Sequence, residues 1–490
     1  MLLHFHDGER AYQQFYDFSP RLVPNWLGHV ALPILMLLFE PLVAERVFLT
    51  IYLLLFVFAI RYFLRSIGPD QGVFAFLALP LVYHFPLFMG FYNFTCSVPL
   101  MLLALGFWWR HRDRLFSARV LLGLNLLLVT LYFCHLVSVL ATIGSLFALA
   151  LLKDWRNPQE FLGHIPALSP GMILPAQYFL RGGVGASVGW LPASAADFLG
   201  LRCLVAHEPL TEYVGIALGL LYAVLFAHTL VAKALRREPR RSPRDAFLPL
   251  VLGFTALYFV LPEHFGEGGF IRDRVALYPF LLVLAWFTPR LAAPLKKAVV
   301  VVACLVALVH IALITARLVP VNQELADYTS GVGRVGKNDV LLPVSFDHMV
   351  HPGTRISTYL HAAGYYAVRC DCIELDNFEG RYSSSPLDYK PDRDPFALLG
   401  PIEQGTGDLR IDRYPVPIDF ILLWCPPETF PAKAWIERNY GRVHAQGRMV
   451  LYERKGRRQQ SRDRPQAMPS RSRKAALGIR RRTAVQADQN

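Results

Sequence analysis

Long uncharged apolar runs dominate this sequence. Between about residue 27 and residue 316, runs of 15 to 20 residues recur, separated by short stretches that carry charges, glycine or proline. A helix of about 20 residues crosses the hydrocarbon core of a bilayer, where helices satisfy their own backbone hydrogen bonds. Charged residues make up only 18% of the chain, below the roughly 25% that is typical of soluble proteins. The pattern predicts a polytopic α-helical membrane protein and argues against a soluble cytosolic enzyme.

The apolar runs divide into about ten predicted spans. These lie at residues 44–60, 71–88, 94–109, 120–134, 137–152, 165–180, 213–232, 247–262, 275–289 and 298–316. A further apolar stretch, 27–39, is shorter than a span and ends at Glu40 and Pro41. It therefore predicts a short interfacial or re-entrant helix.

Basic residues predict the orientation of the spans. The loops 61–70, 110–119, 153–164, 233–246 and 290–297 carry 17 Lys and Arg residues, whereas the alternate set of outer segments carries six. Because basic loops stay in the cytoplasm, the alternate set should face outward. Both ends of the chain are then extracytoplasmic, yet residues 1–20 contain no signal-peptide apolar region that would export them. We therefore expect a further span upstream, or a different start codon.

Composition divides the chain into four regions. These are an outer segment 1–43 with the interfacial helix, a transmembrane helical domain 44–316, a small extracytoplasmic α/β domain 319–455 and a disordered basic tail 456–490. In the α/β domain, strand-like runs occur at 339–343, 418–424 and 448–453, and helix-like runs at 357–368 and 432–440.

The net charge of +13 is concentrated at one end of the chain. The tail alone carries ten Lys and Arg residues against two Asp residues, and so supplies +8 of that charge. Its composition predicts a solvated segment that also contacts anionic membrane lipids. No nucleic-acid partner is predicted.

The cysteines do not indicate a metal site. The chain has seven, without a CxxC pair and without the Cys and His spacing of a zinc site. No cofactor is evident, and a divalent metal has no support from the sequence. Cys370 or Cys372 would form a disulfide with Cys425 in an oxidising compartment, but the sequence leaves that pairing open.

Unusual polar side chains gather in the predicted outer turns. Ionisable groups at a membrane edge are costly, so such a cluster predicts a functional site. The candidate substrate-binding residues are Asn25, Trp26, His29, Tyr92, Asn93, His135, Glu263, Arg272 and Arg274. Other roles remain open for individual members: an aromatic belt at the membrane surface, helix packing, lipid headgroup binding, or ion pairs within the cluster.

Paired arginines and carboxylates at a membrane surface suit a lipid-linked anionic substrate. Arginine donates two parallel hydrogen bonds to phosphate oxygens. A nearby carboxylate would take the proton from an acceptor hydroxyl as it attacks a sugar carbon, while the phosphate leaves. The cytoplasmic loops show no glycine-rich nucleotide motif, so nucleotide-driven chemistry is not supported.

Three stretches and the overall layout carry a resemblance to a known family. The stretches are PNWLGH at 24–29, GFYNF at 90–94 and IRDRVALYPF at 271–280, and the layout is a set of spans followed by a small soluble domain. Over the whole chain, this architecture resembles the GT-C superfamily of membrane glycosyltransferases. The resemblance implies transfer of a sugar from a polyprenyl-phosphate donor to an acceptor of the cell envelope, by an integral protein of the bacterial inner membrane.

The resemblance also implies where the catalytic acid lies. In the superfamily, an aspartate follows the first span, in the first outer loop. The nearest match here is Asp7, before Gly8, with Asp17 and Glu45 as further catalytic candidates. The span that should precede this loop is not seen in the sequence, so an inactive chain is one alternative. The other is a non-enzymatic membrane protein, either a transporter or a structural partner.

Overall fold

The computed structural model describes residue 3 and residues 9–154, 157–181, 187–207, 209–235, 239, 242–266, 268–349, 354–403 and 409–457. The described chain is mostly helical, with a small region of β-sheet near its C-terminal end. This confirms the predicted combination of a helical bundle and a small C-terminal α/β region. The first catalytic candidate, Asp7, and residues 458–490 of the basic tail lie outside the described residues.

Up to residue 328, the described part of the chain consists mainly of helices, with three short strands. The helices are α1 (Arg10–Phe15), α2 (Leu27–Met36), α3 (Pro41–Ile67), α4 (Phe85–Phe88), α5 (Tyr92–His111), α6 (Ala118–Cys134), α7 (Leu136–Asp154), α8 (Pro158–Leu180), α9 (Ala195–Leu199), α10 (Leu210–Ala234), α11 (Phe247–Val260), α12 (Ile271–Val275), α13 (Leu277–Trp286) and α14 (Ala293–Tyr328). The strands are β1 (Tyr16–Phe18), β2 (Val188–Gly189) and β3 (His264–Phe265), of which β2 and β3 pair with each other. Proline lies in the first turn of α3 and of α14, where its missing amide hydrogen is not needed.

Six helical stretches of the described chain are long and apolar enough to cross a membrane. They are Pro41–Ile67, Pro69–Phe88, Leu136–Asp154, Leu210–Ala234, Pro243–Val260 and Ala293–Arg334, and they indicate association with a membrane. Each overlaps one of the ten predicted spans. The other four predicted spans are also largely helical, but α6 and α13 are shorter and α8 contains three internal prolines. The number of crossings therefore stays a prediction.

The predicted span 71–88 is not a continuous α-helix. It consists of two 3₁₀ segments, Pro69–Ala78 and Pro80–Tyr83, followed by α4. Pro69 and Pro80 begin the two 3₁₀ segments, and Pro86 is the second residue of α4. Because proline has no amide hydrogen, these residues prevent an unbroken ladder of backbone hydrogen bonds. The buried side chain of Gln71 anchors this stretch, because its Nε2 donates to the carbonyl groups of Leu284, Ala285 and Phe287 at 2.9, 3.1 and 2.8 Å.

The C-terminal region contains a five-stranded mixed sheet. Its strands are β4 (Val340–Ser345), β5 (Ile373–Glu374), β7 (Phe420–Trp424), β8 (Tyr440–Gln446) and β9 (Met449–Arg454), in the order β5-β4-β7-β9-β8. Strand β4 runs parallel to β5 and β7, whereas β9 is antiparallel to both of its neighbours. All residues of β4 and β7 are buried, as expected for central strands covered on both faces. The three strands predicted from the sequence are confirmed as β4, β7 and β9.

Three short helices accompany this sheet. They are α15 (Gly364–Cys370), α16 (Pro395–Leu398) and α17 (Lys433–Asn439). Helix α17 confirms the predicted helix at 432–440, whereas α15 covers only the second half of the run predicted at 357–368. In that run, turns occupy the residues before Gly364.

The N-terminal segment belongs to the C-terminal domain. Strand β1 pairs with β6 (Leu387–Tyr389) in antiparallel register, so that Tyr16 lies opposite Tyr389. The rings of these tyrosines stack with centroids 4.7 Å apart, and Tyr12 and Phe15 are buried in the same hydrophobic core. The predicted boundaries separate residues 1–43 from 319–455, whereas residues 12–18 pack into that later domain. Such a pairing across more than 350 residues leaves no local signal in the sequence.

Candidate functional site

A large cavity lies where the helical bundle meets the C-terminal domain. Its volume is about 1710 Å³. Helices α2, α7 and α11, the turn before α5 and the loop around β3 line it from the bundle side, and Phe378, Glu379, Tyr382, Ser383 and Ser384 line it from the C-terminal domain. The cavity therefore combines surfaces from both parts of the chain.

Two facing helices give the cavity a long apolar wall. The lining residues of α7 are Leu136, Val137, Leu140, Ala141, Gly144, Ser145 and Ala148, and those on and around α11 are Pro249, Leu250, Gly253, Phe254, Leu257 and Leu261. Both sets recur every three to four residues, so each forms one face of its helix. At 1.5 Å per residue, the run from Leu136 to Ala148 extends about 18 Å along α7. This wall has the length and chemistry of a groove for an acyl or prenyl chain.

Two glycines keep this groove open. A methyl group added at Gly144 or at Gly253 would have no heavy atom within 4 Å beyond its own helix. Both residues line the cavity, and neither is needed for a close helix contact. Gly106 is different, because its added Cβ would lie 2.9 Å from the backbone of Phe63.

Arg274 lies in the cavity wall at the end of α12. It is only 8% exposed, and its Nε has no hydrogen-bond partner among the described residues. The guanidinium carbon stands 4.5 Å from the ring centre of Phe91 and 5.7 Å from that of Phe94. Cation–π contacts stabilise a cation by a few kcal/mol at most, less than full solvation does. No described carboxylate forms an ion pair with Arg274, and the nearby Asp273 and Glu263 are each paired with another arginine. Arg274 therefore brings positive charge to the cavity without a carboxylate in direct contact.

Neighbouring charges of the same loop are already paired. The Nε of Arg272 lies 3.0 Å from the Oε2 of Glu263, and Arg355 donates to both carboxylate oxygens of Asp273 at 3.0 and 3.1 Å. Burial raises the pKa of the Glu263 and Asp273 carboxyl groups, and their arginine partners oppose that rise. Neither Arg272 nor Glu263 lines the cavity. The two arginines predicted to bind substrate together therefore differ in position. Arg274 lines the cavity, whereas Arg272 forms an ion pair within the loop.

Five further predicted substrate-binding residues line the cavity. They are Asn25, His29, Tyr92, Asn93 and His135. His135 lies at the break between α6 and α7, as predicted, and its buried Nδ1 has no hydrogen-bond partner among the described residues.

Asn93 has a structural task. Its Oδ1 accepts a hydrogen bond from the backbone of Gly28 at 2.7 Å, and its Nδ2 donates to the carbonyl oxygen of Asn25 at 2.8 Å. Asn25 itself has a φ of 70°, which asparagine tolerates better than most residues. These contacts hold the start of α2 against the start of α5, so the polar groups of Asn93 that the sequence analysis assigned to substrate are used within the protein.

The remaining candidates lie elsewhere. Asp17 is an exposed residue of β1 whose Oδ1 lies 3.8 Å from the Nζ of Lys390. Glu45 accepts a hydrogen bond of 2.5 Å from the hydroxyl group of Tyr92, and the backbone amide of Trp26 donates to the carbonyl oxygen of Phe133. None of these three side chains lines the cavity.

Glu379 is the carboxylate that the sequence analysis missed. Among the described lining residues it is the sole Asp or Glu, and its Oε2 lies 3.5 Å from the Nε2 of His29. Burial raises the pKa of the Glu379 carboxyl group, and the nearby His361 opposes that rise. Glu379 lies in the 3₁₀ segment Phe378–Arg381, after β5, about 350 residues from His29 in the chain. No spacing or motif could have joined these two residues.

Behind this part of the wall lies a second cluster of polar side chains. His361, Asp376 and Glu403 offer ligand atoms that all lie within 4.8 Å of one another. The ring of His361 stacks on Phe378, which lines the cavity, with centroids 4.1 Å apart. This cluster has the donor types of a metal site, although the sequence shows no metal-binding spacing there.

Comparisons do not assign the chain to a family. It matches no protein-family model, no curated protein and no solved structure. The resemblance to the GT-C superfamily therefore stays a prediction, and support for a function comes from the cavity and the residues around it.

Proposed function

We propose that this protein binds a lipid-linked phosphate in the cavity and transfers a sugar from a polyprenyl-phosphate donor to an acceptor of the cell envelope. The observation that carries the proposal is Arg274, a buried cation without a carboxylate partner at the edge of an apolar groove. An amphiphile with an anionic headgroup and a long apolar chain matches both features.

The size of the cavity favours a lipid. Sites for small molecules usually measure about 300 to 1,000 Å³, and this cavity measures about 1710 Å³. The groove between α7 and α11 would take the apolar chain from the surrounding bilayer, so that the chain stays out of water. Serine, tyrosine and histidine side chains near the C-terminal domain would surround the polar headgroup.

A bound phosphate would supply the negative countercharge that no carboxylate supplies to Arg274 by direct contact. A buried charge without a partner is unfavourable, and an arginine–phosphate pair restores strong charge-assisted hydrogen bonds. During transfer, the phosphate group leaves with the electron pair of the broken bond to the sugar. Arg274 would stabilise that developing negative charge, which is how fixed donors lower a barrier of this kind.

Glu379 is the best candidate for the general base. It lines the same cavity, and His29 and its own partial burial fix its position. In the proposed step, Glu379 takes the proton of an acceptor hydroxyl group while the acceptor oxygen forms a bond to the anomeric carbon and the bond from that carbon to the phosphate oxygen breaks. This choice replaces Asp17 and Glu45, which lie outside the cavity lining.

The proposal also specifies the membrane in which the protein lies and the side of that membrane on which the C-terminal domain lies. The distribution of basic loops favours an integral protein of the bacterial inner membrane whose C-terminal domain is extracytoplasmic. Lipid-linked donors and envelope acceptors meet on that side, and a metal is not required by the proposed step.

Binding of a polyprenyl phosphate to the purified full chain in nanodiscs tests the proposal. Arg274→Gln removes the charge at similar size, and we expect it to weaken binding by about 10- to 100-fold, the range of a charged hydrogen bond. Arg413→Gln, at an exposed residue of the C-terminal domain, is the control and should bind like the parent. Equal affinity of Arg274→Gln and the parent would contradict the proposed site. Binding without sugar transfer from any donor tried would leave a lipid-binding protein that is not an enzyme.

A further inference from the structure

Three potential metal ligands meet at one edge of the C-terminal sheet. Asp376 follows β5, Glu403 follows α16, and His361 lies in the turns before α15. Strand β5 is an edge strand that runs parallel to β4, and ligands often bind beyond the carboxyl ends of parallel strands. The cluster thus combines one imidazole and two carboxylates from three separate segments.

The distances suit a single cation. The Nδ1 of His361 lies 3.8 Å from the Oδ2 of Asp376, and the three ligand atoms lie within 4.8 Å of one another. Ligands at about 2.0 to 2.2 Å from one tetrahedral metal ion are about 3.3 to 3.6 Å apart. The separation between His361 and Asp376 is close to that range, and side-chain movements of about 1 Å would bring all three atoms onto one ion.

Asp376 is buried, and one of its two carboxylate oxygens is unsatisfied. The residue is only 6% exposed, and its Oδ1 has no hydrogen-bond partner among the described residues. The Nδ1 of His361 is also buried without a hydrogen bond. Buried polar groups are almost always satisfied, so the unsatisfied atoms of Asp376 and His361 point to a ligand between them.

The surroundings favour a cation over a water molecule or an anion. Two carboxylates and a neutral imidazole carry a formal charge of −2, and Glu374 and Glu379 lie on the same stretch of chain.

We propose that His361, Asp376 and Glu403 bind one divalent first-row transition metal ion, with Mn²⁺ and Zn²⁺ as the best candidates. Mixed imidazole and carboxylate ligands suit these ions better than Mg²⁺, which prefers oxygen ligands and water. The metal would connect three segments behind the cavity wall, where His361 stacks on Phe378. This inference goes beyond the proposed sugar transfer and does not depend on it.

Metal content and affinity of the full chain test the inference. The protein is purified with a tag that contains no histidine, treated with a chelator, dialysed and titrated with Mn²⁺ and then with Zn²⁺. We expect one ion per chain and a rise in thermal stability as the ion binds, because a ligand that binds only the folded state stabilises it. Asp376→Asn and Glu403→Gln keep the side-chain shapes and should each weaken binding by at least 10-fold.

Matched controls separate this site from adventitious binding. Asp412→Asn and Glu428→Gln alter exposed carboxylates of the same domain and should bind metal like the parent. If Asp376→Asn is poorly folded, Glu403→Gln at its half-buried position gives the same comparison. Equal metal content and affinity of the parent and Glu403→Gln, or a parent that binds neither ion, would overturn the proposal.

Discussion

The Nε2 of His29 lies 3.5 Å from the Oε2 of Glu379, and both side chains line the same cavity. One residue belongs to the first short apolar helix and the other to the C-terminal domain. Their contact places a carboxylate of the C-terminal domain over a cavity built mainly by the bundle. The candidate site therefore exists only when the two parts of the chain are docked.

Loss of the Glu379 carboxylate should abolish most sugar transfer. Glu379→Gln retains the size of the side chain but cannot accept the proton, so we expect turnover to fall by about two to four orders of magnitude. Binding of a polyprenyl phosphate should change much less. Turnover of a polyprenyl-phosphate sugar by the purified variant measures this, with Glu428→Gln as the control. A loss with Asp7→Asn or Asp17→Asn, but not with Glu379→Gln, would favour the aspartates chosen from the sequence.

Filling the groove should select against long lipid chains. Gly253→Leu and Gly144→Leu place a side chain in space that the described structure leaves open. We expect weaker binding of a long-chain polyprenyl phosphate and nearly unchanged binding of a short-chain analogue that reaches only the headgroup end. Helix stability should not suffer, because glycine is a poor helix former.

The control for the groove is another glycine. Gly364 at the start of α15 also has no atom within 4 Å of an added Cβ, and it lies outside the cavity lining. Gly364→Leu should bind both lipids like the parent. Equal affinities for long and short chains in the two groove variants would show that the apolar chain lies elsewhere.

Gln71 should be essential for the stability of the broken segment 69–88. Gln71→Leu leaves the buried carbonyl groups at the end of α13 without their donor, and we expect a loss of about 1 to 3 kcal/mol in the free energy of unfolding. Unfolding in detergent micelles measures this loss. Gln14→Leu, at an exposed residue of α1, is the control. A variant as stable as the parent would mean that water replaces the amide.

Impermeant thiol labelling in intact cells should distinguish the two ends of the bundle. Asp412→Cys lies on the C-terminal domain and Ser117→Cys on the loop before α6, and both positions are exposed. In a background with Cys304, Cys370 and Cys425 replaced by serine, we expect labelling at 412 and not at 117. Helix α5 begins at the cavity and carries the chain about 30 Å away before that loop. Labelling at 117 alone would reverse the proposed orientation.

The sequence predicted what depends on local composition. Long apolar runs located most helices within a few residues, and short strand-like runs located β4, β7 and β9. The break at His135 was also visible, because a polar residue interrupts two apolar runs. The sequence could not predict that residues 69–83 form 3₁₀ segments, since the carbonyl groups that accept hydrogen bonds from Gln71 lie at the end of a distant helix.

The candidate site was only partly predictable for the same reason. Arg272 and Arg274 look equivalent in sequence, but two residues on a helix are about 200° apart around its axis, so the two side chains point in different directions. Arg272 meets Glu263, whereas Arg274 reaches the cavity. Glu379 and the cluster around Asp376 depend on contacts between distant segments, which leave no periodic or spaced pattern.

The pairing of β1 with β6 has a consequence for how the chain is threaded. Strands that exchange backbone hydrogen bonds occupy the same aqueous compartment, so Phe18 and Leu387 cannot lie on opposite sides of a bilayer. The chain between them must therefore cross an even number of times, whichever helices do so. A topology with an odd count in this interval would separate the two strands of a single sheet.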